Sequence, residues 1–254
     1  MKFGCSKNEQ SNKDYVRKNM KKSITNLSPR LETVVNMVTP GYKIADIGTD
    51  HGFVPISLIE RNITPSAIAM DVNDGPLVIA RDNIKEAGLI DKIEVRKSDG
   101  LENLKANEVD CAILAGMGGN LIMKLLADNW DITTSLKECI LGPQSEWEKV
   151  RRFLLEYSFS IVQEDMVKDA GKYYLVMKVT PQESKESCSE VELAFGKLLL
   201  EHKNPVLLEY LRKEIAIKER ILEQLKGETG EHIQSRKEEV LSEIELSNQG
   251  LEYY

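Results

Sequence analysis

Lys43-Ile44-Ala45-Asp46-Ile47-Gly48-Thr49-Asp50-His51-Gly52 is the stretch of sequence that decides the fold. Its first five residues form a short, mostly apolar run, which predicts a strand over residues 43–47. Gly48 and Gly52 predict a tight turn after that strand, because glycine adopts backbone conformations that other residues resist. The residues that follow predict a helix over 53–61. Strand, turn and helix together form the first unit of a βα repeat.

The same alternation continues on both sides of this stretch. Before it, Ser28 and Pro29 predict the start of a short helix, with Ser28 at the N-cap and Pro29 at the first helical position. After it, apolar runs predict strands, and apolar residues at helical spacing predict helices. In chain order these are strand 66–70, helix 75–87, strands 92–97 and 109–114, helix 120–128, strand 138–141 and helix 146–157. The pattern predicts an α/β fold with a mainly parallel sheet and helices on both faces.

The end of the repeat differs from its beginning. Two strand-like runs, 159–166 and 173–179, are separated only by residues 167–172. A connection this short returns the chain antiparallel to itself. A mainly parallel sheet that ends in an antiparallel strand resembles the Rossmann-like, seven-stranded fold of class I methyltransferases. A dehydrogenase-type nucleotide domain normally lacks this reversed strand.

The chain divides into three predicted regions. Residues 1–26 are polar without apolar periodicity, which predicts a mobile basic arm, and Met20 raises the hypothesis that translation starts there. Residues 27–180 form the predicted ligand-binding domain. After a polar linker, residues 190–254 predict an antiparallel helical hairpin of coiled-coil type, packed on itself or on the main domain. Its two apolar stripes are Leu208, Leu211, Ile215, Leu222 and Leu225, and then Ile233, Val240, Leu241 and Ile244.

Composition and charge limit the class of protein. Of 254 residues, 41% are hydrophobic and 30% are charged, as in an ordinary globular protein. The net charge of −7 argues against a protein that coats nucleic acid indiscriminately, although the first thirty residues carry eight Lys and Arg against two acidic residues. No apolar run reaches the roughly 18 residues that span a bilayer, and no secretory signal is evident. These features predict a cytoplasmic protein that does not enter the membrane.

The four cysteines, Cys5, Cys111, Cys139 and Cys188, form no Cys-x-x-Cys pair. This spacing suggests neither a zinc site nor a thioredoxin-like motif, so we expect no metal. Cys111 and Cys139 stand in apolar runs, and we expect them to be small buried hydrophobic residues.

Acidic residues follow three successive predicted strands. Asp46 ends the first strand, Asp71 follows the second and Asp99 follows the third. Because the carboxyl ends of parallel strands meet at one edge of the sheet, we expect these acids to lie along that edge, where such folds bind ligands. Asp71 is placed to accept hydrogen bonds from the two hydroxyls of a ribose, and Asp99 from the amine of an adenine. Together they describe an adenosine that carries an amino-acid tail.

Simpler explanations exist for these residues. A single Asp at a strand end is most often a helix cap or a turn former, but three in this order match the parts of one ligand. The spacing of Gly48 and Gly52 differs from the G-x-G-x-x-G dinucleotide motif, which weakens a dinucleotide interpretation. Three glycines in Gly116-Met117-Gly118-Gly119 predict close approach of the backbone to a ligand, the alternative being a flexible loop.

An ordered set of motifs resembles one family, the bacterial tRNA (adenine-22, N1)-methyltransferases. The motifs are Ser28-Pro29-Arg30-Leu31, Ala45-Asp46-Ile47-Gly48-Thr49-Asp50-His51, Asp74-Gly75-Pro76, Asp99-Gly100-Leu101 and Ala115-Gly116-Met117-Gly118-Gly119. Each motif alone is weak, and their order makes the set fairly specific. The resemblance runs from about residue 26 to residue 179, and the helical tail resembles the family's C-terminal domain in pattern only.

The resemblance implies transfer of a methyl group from S-adenosylmethionine to N1 of an adenine in tRNA. It implies a catalytic role for Asp50, through its charge, and for His51, in orienting the base. The residues expected to bind the cofactor are Asp46, Gly48, Gly52, Asp71, Val72, Asp99, Gly100, Gly116, Met117 and Gly118. The residues expected to bind the substrate are Arg30, as a phosphate contact, Asn120 and Gln144. The basic arm and the helical hairpin are further candidates for tRNA binding.

One difference from other adenine methyltransferases leaves the way in which the target adenine is bound undetermined. Many methyltransferases that modify an amine of adenine carry an [Asn/Asp]-Pro-Pro-aromatic sequence after the fourth strand, and this chain has Gly116-Met117-Gly118-Gly119 there. Two other functions remain compatible with the sequence. One is methylation of a protein or a small molecule. The other is a non-catalytic binding module, against which the intact Asp46, Asp71 and Asp99 argue.

Overall fold

The computed structural model describes residues 27–181 and 187–254. Within these residues, helices and strands alternate before the chain ends in helices. The elements are α1 (Pro29–Met37), β1 (Ile44–Ile47), α2 (Phe53–Glu60), β2 (Ala67–Asp71), α3 (Asp74–Glu86), β3 (Ile93–Lys97), β4 (Cys111–Met117), α4 (Gly119–Asp128), α5 (Trp130–Ser135), β5 (Glu138–Pro143), α6 (Trp147–Glu156), β6 (Ser160–Asp169), β7 (Lys172–Thr180), α7 (Glu190–Phe195), α8 (Lys197–Glu201), α9 (Pro205–Gln224) and α10 (Glu231–Leu251).

The strands form one seven-stranded sheet in the order β3-β2-β1-β4-β5-β7-β6. β1 to β5 are all parallel to one another. β7 lies between β5 and β6 and is antiparallel to both. The prediction of a mainly parallel sheet with an antiparallel strand near its end is confirmed. The hairpin turn is tighter than predicted, because only Ala170 and Gly171 separate β6 from β7 and both have positive φ.

Alternate residues of the central strands face two cores. Ala45 and Ile47 of β1 point into the core covered by α4 and α6, whereas Ile44 points into the core covered by α1, α2 and α3. Cys111 and Cys139 are fully buried, one in each core. Burial raises the pKa of both thiols, that of Cys139 to about 12. Both therefore serve as small hydrophobic residues, as expected.

The start of α1 is confirmed and one short helix was missed. Ser28 stands at the N-cap of α1 and Pro29 at its first position, although within the described residues the Ser28 side chain makes no capping hydrogen bond. Its carbonyl instead accepts the Glu32 amide at 2.9 Å. The sequence pattern missed α5. Its buried residue Thr133 and the buried Leu136 that follows it form no helical repeat of apolar residues.

The tail contains a pair of long helices, α9 and α10. Leu211 lies against Gly250 and Lys218 lies 3.5 Å from Glu243, so the contacts run in opposite directions along the two helices. The assignment of Leu241 to the second apolar stripe is wrong, because this residue is 54% exposed. The coiled-coil character and the proposed domain limits stay predictions.

The short helix α7 is attached to the sheet domain through a buried ion pair. Arg151 of α6 and Glu164 of β6 lie 2.8 Å apart and are each 2% exposed or less. Arg151 also donates to the carbonyls of Leu193 and Ala194 in α7 at 3.0 Å. The charges are therefore paired, and one of them also satisfies the end of a helix.

Residues 1–26, the predicted mobile arm with Met20, and most of the predicted linker lie outside the described residues. Among the residues that are described, none of the helices is both long and apolar enough to cross a membrane.

Candidate active site

A cavity of about 560 Å³ opens at the carboxyl ends of β1, β4 and β5. β1 and β4 are neighbours in the sheet but not in the sequence, so the strand order reverses here, and open α/β sheets bind their ligands at this point. α1 and the first half of β7 form the opposite wall. The lining residues are Ser28, Arg30, Leu31, Val34, Asp46, Gly48, Asp50, His51, Phe53, Val54, Ala115, Gly116, Gly142, Gln144, Tyr174, Leu175 and Val176.

The structure brings part of the predicted site together in this wall. Both predicted catalytic residues line it, as do three of the predicted cofactor-binding residues and two of the predicted substrate-binding residues. These are Asp50 and His51, then Asp46, Gly48 and Gly116, and then Arg30 and Gln144. They come from α1 and the ends of three strands, which are distant in the sequence.

Asp46 is the buried charge of the cavity. This residue lies near the end of β1 and is 7% exposed. Burial raises the pKa of Asp46 to about 6, the nearby Thr49 side chain acts against this shift, and the negative charges of Asp50 and Asp71 add to it. Asp46 is thus buried beside two other carboxyl groups, and such a site favours a bound cation.

The turn after β1 has a compact shape that its glycines permit. Gly48 has a φ of +74°, and the amides of Gly48 and Thr49 both donate to the carbonyl of Met70 at 2.8 Å. These two amides therefore hold the turn on β2. A Cβ atom at Gly48 would lie 3.1 Å from the terminal carbon of Met117, so Met117 covers the turn from β4.

Asp50 and His51 stand at the mouth of the cavity. The Nε2 atom of His51 lies 3.1 Å from an oxygen of Asp50, whose side chain is 82% exposed. The ring of His51 stacks on that of Phe53, with centroids 5.4 Å apart and planes at 10°. His51 has a φ of +62°, a conformation that a residue other than glycine rarely adopts. The turn thus presents a charged group and a flat aromatic pair to the same opening.

Arg30 enters the cavity from the opposite side. Its guanidinium carbon lies 5.3 Å from the centre of the Tyr174 ring, within the range of a cation–π contact. A Cβ atom at Gly116 would lie 3.3 Å from Arg30 Nη1 and 3.9 Å from Gln144 Nε2. Glycine at 116, with a φ of +83°, therefore leaves room for two hydrogen-bond donors that converge on the cavity.

Three predicted residues lie outside the wall along the same edge of the sheet. Asp71 ends β2, is half-buried, and accepts the amide of Asn73 at 2.7 Å. Val72 is 50% exposed beside it. Asp99 is exposed just after β3. Because β2 lies beside β1 and β3 lies beside β2, these residues extend the cavity edge in the order that the sequence predicted.

Other predicted glycines have packing reasons of their own. A Cβ atom at Gly52 would lie 3.4 Å from that of Ala80 in α3, and one at Gly100 would overlap Leu125 at 2.3 Å. A Cβ atom at Gly119 would lie 2.4 Å from the carbonyl oxygen of Ser145. The close approach that Gly116-Met117-Gly118-Gly119 predicted is therefore partly to the β5–α6 loop rather than to a ligand. Asn120 is exposed on α4, away from the wall.

Sequence reasoning missed the aromatic walls of the cavity, Phe53 and Tyr174. Phe53 directly follows the glycine turn, and its position at the start of α2 was a usable signal. Tyr174 had none. Because β7 runs antiparallel to β5, the beginning of β7 lies beside the carboxyl end of β5, and only the paired sheet shows this.

The residues fit S-adenosylmethionine, the cofactor that the motifs imply. That molecule carries a positive sulfur and an ammonium group, and the buried Asp46 with its acidic neighbours favours cations. The edge towards Asp71 and Asp99 offers carboxylates for the ribose and the adenine. Among the described residues, no cluster of three or more His, Cys, Asp or Glu side chains suits a metal ion.

The known proteins that this chain resembles include several tRNA methyltransferases. The chain is 31% identical over 229 residues to the tRNA (adenine(22)-N(1))-methyltransferase of Bacillus subtilis, covering 86% of this chain and 96% of that protein. A Streptococcus pneumoniae structure, described as a putative tRNA (m1A22) methyltransferase in complex with S-adenosyl-L-methionine, is 31% identical with a TM-score of 0.79, covering 89% of this chain and all of that one.

A third relative is M. capricolum TrmK, solved in complex with S-adenosyl-homocysteine. It is 27% identical with a TM-score of 0.79 and covers 89% of this chain and 98% of that chain. The family model TrmK, described as tRNA (adenine(22)-N(1))-methyltransferase, matches residues 44–249. The match includes all seven strands, the long helix α9 and most of α10, and the chain therefore belongs to the TrmK family of tRNA (adenine(22)-N(1))-methyltransferases.

Proposed function

We propose that this chain transfers a methyl group from S-adenosylmethionine to N1 of adenine 22 in tRNA. The observation that carries the proposal is the cavity at the strand-order reversal, where the buried Asp46 and two aromatic walls face one space of about 560 Å³. Membership of the family supports tRNA as the substrate and S-adenosylmethionine as the cofactor. A cytoplasmic location, where tRNA is modified, belongs to the same proposal.

The reaction requires little acid–base catalysis by the protein. When bound, S-adenosylmethionine supplies a methyl group on a positively charged sulfur. Adenine N1 has a free lone pair at neutral pH, so its attack forms the nitrogen–carbon bond while the carbon–sulfur electron pair stays on sulfur. The positive charge passes to the base, and no proton is removed before attack. Alignment and stabilisation of positive charge are therefore the tasks left to the side chains.

We assign the cofactor end of the site to the acidic edge of the sheet. Asp46 faces the amino-acid part and the positive sulfur, Asp71 the ribose and Asp99 the adenine amine. The remaining residues shape this edge: Gly48, Gly52, Val72, Gly100, Gly116, Met117 and Gly118. Their support is the common edge on which β1, β2, β3 and β4 end.

We assign the substrate end to the mouth of the cavity. Asp50 stabilises the positive charge that forms on the adenine, and the stacked ring of His51 orients the base. Arg30, held against Tyr174, contacts the phosphate of the target nucleotide. Gln144 hydrogen-bonds an edge of the base, and Asn120 on α4 lies further out towards the tRNA. An unstacked adenine is the form that such a cavity accepts.

Transfer of labelled methyl groups tests the proposal. Unmodified tRNA is compared with a transcript that carries guanine in place of adenine 22, and we expect label in the first and background in the second. Equal label in both transcripts, or label only in added protein or small molecules, would contradict the proposal. Calorimetry with S-adenosylmethionine separates a non-catalytic module, which would give no heat and no thermal stabilisation.

A further inference from the structure

A second cavity lies between the sheet domain and the helical tail, and it has about 420 Å³. The β5–α6 loop forms one side, and α7, α9 and α10 form the other. Gln144 lines both this cavity and the first one, so the two are neighbours across a single side chain. A volume above about 300 Å³ is within the usual range of small-ligand sites.

The lining combines aromatic faces with carboxylates. The aromatic residues are Trp147, Phe195 and Tyr210, and the ring centroids of Trp147 and Tyr210 are 5.6 Å apart. The acidic residues are Glu146, Glu148 and Glu243, and Lys218 is the one basic lining residue among the described part of the chain. Glu146 and Glu148 are paired with Lys149 and Arg152, and Lys218 is itself paired with Glu243 at 3.5 Å. Because the basic residue of the lining is already engaged, a phosphate is disfavoured, whereas aromatic faces with hydrogen-bond acceptors suit a nucleobase that bears an amino group.

The aromatic surface continues beyond the cavity. The ring of Tyr210 also meets that of Tyr173, with centroids 5.3 Å apart at 72°. Lys168 and Lys213 lie 5.6 Å and 4.9 Å from the centre of the Tyr173 ring. A nucleotide in the second cavity would therefore have its base among aromatic rings and lysines within reach of the adjoining backbone. Such a combination of stacking surface and cations is typical of sites for unpaired RNA.

We propose that this second cavity binds another unstacked nucleobase of the same tRNA, one that bears an exocyclic amino group and lies near the target adenine. The inference rests on the proposed function, because it takes tRNA as the occupant of the first cavity. The helical tail then contributes a base-binding subsite in addition to any contact it makes with the phosphate backbone.

Two substitutions test the subsite with a matched control. Ala194→Trp fills the cavity from α7 while it leaves the Ala194 carbonyl that Arg151 uses. Glu243→Ala removes an acceptor from the wall, and Glu245→Ala removes the same charge from an exposed position two residues away. We expect Ala194→Trp and Glu243→Ala to raise the KM for tRNA by about tenfold or more, with unchanged affinity for S-adenosylmethionine, and Glu245→Ala to leave both unchanged.

Fluorescence gives an independent reading in the full chain. The sequence contains two tryptophans, so Trp130→Phe leaves Trp147 in the cavity wall as the reporter. We expect unmodified tRNA, added with S-adenosylhomocysteine, to quench the fluorescence of Trp147. This measurement uses Trp130→Phe without Ala194→Trp, which would add another tryptophan. An unchanged KM in Glu243→Ala, or no quenching while wild-type protein methylates the same tRNA, would overturn the subsite alone. Absence of methylation by wild-type protein would instead overturn the proposed function.

Discussion

At the scale of single residues, the central feature is a carboxyl group that the fold buries beside two others. Asp46 lies at the end of β1, and burial together with the charges of Asp50 and Asp71 raises its pKa to about 6, against the opposing effect of Thr49. A group held in this way is unfavourable when it is ionised and unpaired. A bound cation relieves that situation, so the same carboxyl group that destabilises the empty fold favours the cofactor.

The raised pKa of Asp46 predicts a pH-dependent stability. The folded state holds the Asp46 proton more tightly than the unfolded chain, whose ordinary pKa is 3.8. The stabilisation is fully present below about pH 4 and is lost as the pH rises through about 6, a change of about 3 kcal/mol. Urea unfolding of the wild type and of Asp46→Asn, compared from about pH 4 to about pH 7, should show this decrease in their difference. A difference that is independent of pH would contradict the shift.

The exposed pair at the mouth predicts a separation of catalysis from cofactor binding. Asp50 contacts His51 and is 82% exposed, so its removal leaves the buried part of the site intact. We expect Asp50→Ala to lower kcat by about 10²- to 10³-fold, the range found when one charge-stabilising group is removed. The affinity for S-adenosylmethionine should change little.

Asp131, an exposed acid on α5, supplies the control for this substitution. Asp131→Ala removes the same charge and should turn over tRNA like the wild type. Wild-type turnover by Asp50→Ala would show that Asp50 does not stabilise the reacting base.

At the scale of elements, the break between α7 and α8 depends on a glycine. Gly196 has a φ of +94°, and a Cβ atom there would lie 2.6 Å from Glu164 Oε2 and 2.8 Å from Arg151 Nη2. Alanine would both strain the backbone and push apart the buried ion pair that holds α7. The loss of a well-placed buried pair is worth about 3–5 kcal/mol.

Gly196→Ala is therefore expected to lower the free energy of unfolding by more than about 3 kcal/mol. Gly227, between α9 and α10, has a similar φ of +87° and nothing within 4 Å of an added Cβ atom. Gly227→Ala should cost only the backbone strain, about 1–2 kcal/mol. Urea unfolding of both variants measures the comparison. Equal losses would show that the contact with Arg151 and Glu164 adds nothing to the backbone effect.

Elements with a strong local pattern could be predicted from the sequence. β1 and α2 follow from the apolar run and the glycine turn around Gly48, and the β6–β7 hairpin follows from its short connection. The short α5 could not, because tertiary packing of Thr133 and Leu136 holds it rather than a repeat in its own sequence. Leu241 matched a helical stripe but is exposed, whereas the neighbouring Val240 is fully buried.

At the scale of the whole molecule, the same limit applies to the site. Asp46, Asp50 and His51 could be placed beside Gly48 from the local motif, and their strand-end position predicted the cavity edge. Tyr174 and the contact with Arg30 depend on where an antiparallel strand and the first helix meet. Such long-range pairing has no signal in one stretch of sequence, so the aromatic walls appear only in the folded chain.

The whole fold serves one chemical outcome, which is attack by a ring nitrogen that already has a lone pair. The cavity supplies aromatic walls, hydrogen-bond donors and negative charge, and the proposed reaction needs no strong base. Attack by the exocyclic amine of adenine would have to lose a proton as well. We therefore expect the methyl group on the ring nitrogen rather than on the exocyclic amine.

Nucleoside analysis of tRNA after incubation with the protein and S-adenosylmethionine tests this claim most directly. We expect 1-methyladenosine, located at position 22 by sequencing of the product. N6-methyladenosine, 1-methyladenosine at another position, or no methylated adenosine would contradict it.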